Sequence, residues 1–149
     1  MALRMSGSAL PEKAFSDFRL RVRYAETDQM GVVYHANYLI WFEVGRIEFL
    51  RQRGFRYRDL EREEGVFLAV AEVHCRYIAA VHYDEEVIVR TRVRENRRRF
   101  ITFHYQILRA EDEALVAEGE TRHIVLGLDK RPRSLPEKYI KCLQVDSSE

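Results

Sequence analysis

The segment from Tyr38 to Arg53 is apolar around most of its circumference, and no other feature constrains the fold as strongly. It reads YLIWFEVGRIEFLRQR, which predicts one long helix. Asn37 is the expected N-cap, and Gly54 is expected to take the left-handed conformation beyond the C-terminus. A helix that is apolar nearly all round is a buried helix. The rest of the chain must therefore surround it.

Five stretches of the chain have the alternating pattern of half-buried strands. The first begins at Phe18, where apolar residues alternate with Arg19, Arg21 and Arg23. Four longer stretches follow the helix at about 66–79, 86–96, 99–110 and 114–127, and short polar joins between them indicate hairpins. We therefore predict an α+β fold in which one antiparallel sheet of about five strands curls around the helix. The two free edges of such a sheet favour assembly into oligomers.

Length and composition indicate one globular domain. The chain has 149 residues, of which 46% are hydrophobic and 33% charged. We expect a flexible lead-in over residues 1–15, a single domain over 16–141 and a tail over 142–149. The first residues lack the apolar core of a signal peptide, and no segment offers the roughly 18 apolar residues of a membrane span.

The charge balance and the cysteines narrow the possible partners and the compartment. The net charge is +1, from 25 basic and 24 acidic residues, so no global field attracts the protein to nucleic acid. Cys75 and Cys142 lie far apart in sequence without metal-like spacing, and we expect reduced thiols in a cytoplasmic protein. His74, His104 and His123 also lack metal spacing, so neither a metal nor another cofactor is expected.

The polar loop over residues 25–36 holds the candidate chemistry. Asp28 could be a turn residue that binds its own backbone or a carboxylate that acts on a substrate. His35 could bind a carbonyl oxygen or take part directly. The backbone N–H groups from His35 to Tyr38 begin the helix, where partial positive charge can stabilise an oxyanion. Gly31 would allow the loop backbone to approach a substrate closely.

The string YAETDQMGVVYHANY, from Tyr24 to Tyr38, together with the aromatic helix LIWFEVGRIEFLR that follows it, resembles the 4-hydroxybenzoyl-CoA thioesterase family of hotdog-fold acyl-CoA thioesterases. The likeness is greatest to the bacterial branch associated with the Tol-Pal system. It implies a hotdog fold, Asp28 as the catalytic carboxylate, and a helix N-terminus that polarises the thioester carbonyl. It also implies active sites at a dimer interface, so we expect at least a dimer and favour a tetramer.

Within the resemblance, His35 matches a histidine of the Tol-Pal-associated branch and is expected to assist catalysis. The aryl enzyme has no histidine there and has proline next, so Tyr34-His35-Ala36 argues against an aromatic acyl group. We expect the loop to contact substrate through Gly31, Val32, Val33 and Tyr34. Asp28 could orient a water or attack the carbonyl itself, and the sequence leaves both open.

Two basic clusters could bind the phosphates of coenzyme A, although a solvated charge run is the common alternative. The arginines concerned are Arg97, Arg98, Arg99, Arg131 and Arg133. On the helix, Glu43 is either a second site carboxylate or the partner of Arg46 or of a core hydroxyl. Gly45 is expected to permit close packing of the helix on the sheet.

Two other functions remain possible on the same fold. A hydratase or dehydratase of acyl thioesters also pairs an acid with a histidine, but the six residues between Asp28 and His35 differ from the compact spacing associated with hydratases. A non-enzymatic acyl-CoA sensor would normally carry a DNA-binding segment, which the short lead-in does not resemble. The carrier of the acyl group could be coenzyme A or acyl carrier protein.

Overall fold

The computed structural model describes residues 14–146, which form one sheet of five strands, a long α-helix, two short α-helices and a single 3-10 turn at Tyr24–Glu26. The first strand precedes the long helix α1, and the short helix α2 joins α1 to the second strand. The bounds are β1 Phe15–Arg21, α1 Asn37–Gln52, α2 Tyr57–Glu64, β2 Val66–Tyr77, β3 Glu86–Asn96, β4 Phe100–Arg109, β5 Leu115–Gly127 and α3 Glu137–Cys142.

The sheet is antiparallel throughout and has the order β1-β3-β4-β5-β2. Bulges lie between Val70 and Glu72 in β2 and between Val93 and Glu95 in β3. Such bulges bend a strand and increase its twist, which helps the sheet to curl. The sheet and α1 together form the predicted hotdog arrangement, in which β1 and β2 are the two edge strands.

Three local predictions differ from the structure. The charged segment between α1 and β2, for which no helix was predicted, contains α2, whose Leu60 is buried. The helix α1 begins at Asn37 with Ala36 as its N-cap, because the Asn37 side chain donates to the carbonyl of Glu26 instead of capping. The first strand starts at Phe15, so part of the expected lead-in is ordered; the rest, residues 1–13, lies outside the described residues.

Only one face of α1 is buried within a single chain. That face carries Trp41, Phe42 and Phe49, each at most 1% exposed, whereas Leu39 and Ile40 are 39% and 50% exposed. The expectation of a helix buried all round is therefore too strong for one chain, because the sheet covers only one side. At Gly45 an added Cβ would lie 2.5 Å from Val89 Cγ1, so this glycine permits close packing as expected.

A chain of polar side chains crosses the core between α1 and the sheet. Arg46 donates to the hydroxyl of Tyr105, which lies 2.6 Å from the hydroxyl of Thr121. Nε2 of His123 is 2.8 Å from that hydroxyl, and its Nδ1 is 3.3 Å from the carbonyl of Leu68. Burial, with a smaller contribution from Arg46, lowers the pKa of His123 to about 4. His123 is therefore neutral in the folded protein.

We predict that His123 makes the protein less stable in weak acid. An unfolded histidine takes up a proton near pH ~6.5, whereas folded His123 does so only near pH 4. Between these values the unfolded state binds more protons. The free energy of unfolding therefore falls as the pH is lowered, by up to about 3 kcal/mol in total. Urea denaturation of wild type and His123→Gln across this range should give stability curves that converge toward low pH or cross. A difference that stays constant with pH would contradict the prediction.

Candidate active site

The loop between β1 and α1 is held by backbone hydrogen bonds to itself and to the segment after β2. Asp28 N–H donates to the carbonyl of Val32, and Gly31 N–H donates to the carbonyl of Asp28, both at 2.9 Å. Val33 N–H donates to the carbonyl of Val81 at 2.8 Å. Gly31 has a φ of +80°, and nothing lies within 4 Å of the place a Cβ would take. The tight turn therefore requires glycine for its backbone conformation.

The carboxylate of Asp28 is both a turn residue and a pocket residue. Its Oδ1 accepts a hydrogen bond from Met30 N–H at 2.8 Å, which is the local turn contact that the sequence left open. Within residues 14–146 no hydrogen bond occupies its Oδ2. The side chain is half-buried and lines a pocket. One oxygen thus fixes the carboxylate, and the other can act on a ligand.

The pocket is an open cleft of about 320 Å³ between the loop and the C-terminal end of β2. Its walls are mostly apolar, with Asp28 and His35 as the polar groups that could act chemically. The lining residues are Asp28, Met30, Val32, Val33, His35, Tyr38, Tyr77, Ile78, Ala79 and Ala80. Of the expected substrate contacts, Val32 and Val33 line this pocket, whereas Gly31 and Tyr34 belong to the same loop without lining it.

His35 is exposed and lies among aromatic rings at the pocket wall. Its ring centroid is 4.5 Å from that of Tyr34 and 6.2 Å from that of Tyr77. The hydroxyl of Tyr77 donates to the carbonyl oxygen of His35 at 2.9 Å. The sequence did not single out Tyr77, because a tyrosine at the end of an alternating strand looks like any other strand residue. The structure makes it the link between β2 and the start of α1.

The start of α1 offers fewer free N–H groups than expected. Those of Asn37 and Tyr38 donate to the carbonyls of Tyr34 and His35, so they belong to turns. The N–H groups of His35 and Ala36 donate to no acceptor within residues 14–146. The partial positive charge of the N-terminus adds to these two groups. Any oxyanion binding by this helix therefore falls to His35 and Ala36.

A second carboxylate of the loop, that of Glu26, lies outside the pocket lining, and the sequence did not single it out. It is 6% exposed, and its oxygens accept hydrogen bonds from the Arg23 backbone and side chain and from Nε1 of Trp41. Burial alone would raise the pKa of Glu26, but these hydrogen bonds outweigh burial and leave it lowered. Glu26 is thus an ionised carboxylate saturated by protein donors.

Within one chain the basic clusters lie at the far end of the sheet from Asp28. Tyr77 pairs with Ala117 near the pocket, whereas Val66 pairs with Gly127 at the other end. Arg97, Arg98 and Arg99 form the β3–β4 turn, and Arg131 and Arg133 follow β5, so all five lie at that other end. Arg97 is ion-paired with Glu95, Arg98 with Glu137 and Arg133 with Asp129.

The remaining candidates are outside the pocket. Glu43 is exposed on α1, and its expected partner Arg46 donates to Tyr105 instead. Cys75 and Cys142 are half-buried free thiols. Residues 14–146 contain no group of three or more His, Cys, Asp or Glu side chains arranged to hold a metal ion. In the same part of the chain, no helix is long and apolar enough to span a membrane.

A curled sheet around one helix, with a carboxylate facing an apolar cleft at the helix N-terminus, defines the class of hotdog-fold proteins. The family model described as the thioesterase-like superfamily matches residues 22–143, which is most of the chain. The chain belongs to this family.

Relatives of known name support the assignment. The acyl-CoA thioesterase YbgC of Haemophilus influenzae is 37% identical over 122 residues, covering 81% of this chain and 88% of that protein. The crystal structure of the DHNA-CoA thioesterase from Staphylococcus aureus has a TM-score of 0.81 and 33% identity, covering 86% and 87% of the two chains. A mutant of 4-hydroxybenzoyl-CoA thioesterase in complex with 4-hydroxybenzoyl-CoA has a TM-score of 0.81 at 18% identity, covering 89% and 100%, and shows likeness of fold alone.

Proposed function

We propose that the protein hydrolyses acyl-CoA thioesters to free acid and coenzyme A. The observation that carries this proposal is the position of Asp28, whose Oδ2 has no partner among residues 14–146 and lies in an apolar cleft at the N-terminus of α1. A carboxylate there can serve the attack on a thioester, and the helix N-terminus can stabilise the oxyanion that forms. The names of relatives such as YbgC agree with this activity.

The reaction can follow either of two balanced routes. In the first, Asp28 accepts a proton from a water whose oxygen attacks the thioester carbonyl, and collapse of the tetrahedral intermediate breaks the C–S bond. In the second, Asp28 attacks the carbonyl, the thiolate leaves and water hydrolyses the resulting anhydride. In both, the N–H groups of His35 and Ala36 stabilise the oxyanion. His35, on the pocket wall, is suited to supply a proton to the departing thiolate.

The pocket favours an apolar acyl group but does not define its length. Met30, Val32 and Ile78 provide an aliphatic wall, and Ala79 and Ala80 leave space beside it. The motif around His35 disfavours an aryl substrate, yet the S. aureus relative is named for an aryl-CoA, so aryl thioesters belong in the substrate panel. Acyl carrier protein is a second possible carrier. A hydratase on the same fold is the alternative chemistry, and it would convert an enoyl-CoA without releasing thiol.

The free edge of β2 supports a dimer that completes the site. Residues 70–80 run along this edge, where the apolar side chains of Val70, Val73, Tyr77 and Ile78 are 45–51% exposed. Antiparallel pairing of two β2 strands would extend the sheet and cover these side chains. It would also place the arginine-rich end of the partner's sheet beside the end of this sheet at which Asp28 lies. The five arginines are therefore proposed to meet coenzyme A phosphates across the dimer, and further pairing would give the tetramer.

The proposed location is the cytoplasm. Coenzyme A thioesters are intracellular metabolites, and the two free thiols suit a reducing compartment.

We predict that Asp28→Asn abolishes most of the hydrolysis while leaving the fold intact. The amide keeps an oxygen to accept from Met30 N–H but can neither accept a proton nor attack as a carboxylate does. Release of free thiol should be followed on short, medium, long and aryl acyl-CoAs, and kcat should fall about a hundredfold or more on the best substrate. Thiol release that does not depend on Asp28, or no release from any thioester, would contradict the proposed mechanism. Enoyl-CoA hydration without thiol release would favour the alternative.

We predict that Val73→Lys disrupts the assembly and the activity together. A lysine there places a charge on the face that the partner strand would cover. Light scattering should show a dimer or tetramer for the wild type and a monomer for Val73→Lys, with activity reduced at least tenfold because the site is incomplete. Val145→Lys is the matched control, because Val145 is 46% exposed against 45% for Val73 and lies away from β2. Equal masses for Val73→Lys and wild type would disprove the proposed interface.

A further inference from the structure

Glu26 occupies the junction between the loop that carries Asp28 and the helix that carries the free N–H groups. Its Oε1 accepts from Arg23 N–H at 2.7 Å. Its Oε2 accepts from Nε1 of Trp41 at 2.9 Å and from Nη2 of Arg23 at 3.2 Å. The Trp41 contact spans 15 residues and reaches the second turn of α1. The side chain of Glu26 thus links Arg23, which follows β1, to helix α1.

The main chain of Glu26 adds two further links. Its carbonyl oxygen accepts from Tyr34 N–H at 2.8 Å and from Nδ2 of Asn37 at 2.8 Å. Tyr34 ends the loop and Asn37 begins α1, so this one residue binds both ends of the segment in which Asp28 lies. A change in the position of Glu26 would move Asp28 relative to the helix N-terminus.

The site requires a carboxylate and not merely a polar side chain. All three groups that face the side chain of Glu26 are donors, and only an ionised carboxylate has two oxygens that accept without donating. An amide would point its own N–H groups at one of these donors. Hydrogen bonds between buried charged groups and their partners are strong, and a half-satisfied group is costly. Glutamine at this position is therefore expected to shift the loop or to leave it with several positions.

We propose that Glu26 is a positioning residue for the reaction, one that holds the Asp28 carboxylate and the N-terminal N–H groups of α1 in fixed relative geometry. This inference rests on the proposed hydrolase function. Glu26 is not in the pocket lining and acts through Asp28 and the helix. Since misplacement of a reacting group by about 1 Å can cost around a hundredfold in rate, loss of this contact should reduce kcat far more than it changes KM.

The test compares Glu26→Gln with wild type and with Glu86→Gln, a matched carboxylate that is paired with Arg19 on the surface. Glu26→Gln should lower kcat tenfold or more with KM within about twofold, and Glu86→Gln should change neither. Trp41 is the single tryptophan of the chain, so its fluorescence reports directly on the contact. Its emission should shift in Glu26→Gln and remain as in wild type in Glu86→Gln.

A second variant, Trp41→Phe, keeps an aromatic ring in the core but removes the donor to Glu26. It should lower kcat in the same direction, and the double variant Glu26→Gln/Trp41→Phe should lose less than the product of the two single effects, because both act on one contact. If Glu26→Gln does not fold, kcat of Trp41→Phe decides the matter. A shifted Trp41 emission with unchanged kcat in Glu26→Gln, or unchanged kcat in a folded Trp41→Phe, would overturn the inference.

The same assays separate this inference from the proposed function. Wild-type hydrolysis that depends on Asp28 but not on Glu26 would remove only the positioning role. Absence of hydrolysis in wild type, or indifference to Asp28→Asn, would overturn the proposed function and the positioning role with it.

Discussion

The packing of α1 into the concave side of the sheet is the interaction on which the rest of the structure depends. Trp41, Phe42 and Phe49 are almost fully buried, and Phe42 stacks on Tyr105 with ring centroids 4.4 Å apart. Close-packed aromatic side chains hold a helix in one position and resist local shifts. The N-terminus of α1 is therefore a fixed point, and a loop that binds to it inherits that rigidity. A site that stabilises developing charge needs such preorganised groups.

The two carboxylates beside this fixed point differ in surroundings, and the difference supports the separate roles proposed for them. Glu26 is buried, and its side chain accepts hydrogen bonds from the Arg23 backbone, the Arg23 side chain and Trp41. Asp28 is half-buried and uses one oxygen for the turn through Met30, and the other has no hydrogen-bond partner among residues 14–146. Two acids only two positions apart can therefore differ in role, because Asp28 lines the pocket and Glu26 does not.

Much of the fold could be predicted because it depends on local periodicity. The long helix and the strands at 86–96 and 114–127 follow from the spacing of apolar residues, and Gly45 follows from the need for close packing. The helix α2 was missed because its residues are mostly charged and only Leu60 is buried. The N-cap was misassigned because Asn37 finds an acceptor in Glu26, eleven residues away. Asp28 and His35 were proposed from a motif, and the structure places both in one pocket lining, whereas Glu26 and Tyr77 depend on contacts 15 and 42 residues away that no local pattern encodes.

The positions of the arginine clusters are one argument that the proposed coenzyme A site needs a second chain. Both clusters follow strands that run away from the pocket, so chain direction alone puts them at the far end of the sheet. The proposed twofold axis beside β2 would reverse that direction for a second copy and would place a basic end of its sheet near Asp28. The same axis would cover Val73, Tyr77 and Ile78, which a single chain leaves exposed. One interface would thus account for the apolar edge, the open pocket and the distant arginines. That a single arrangement explains all three features is the reason to prefer it.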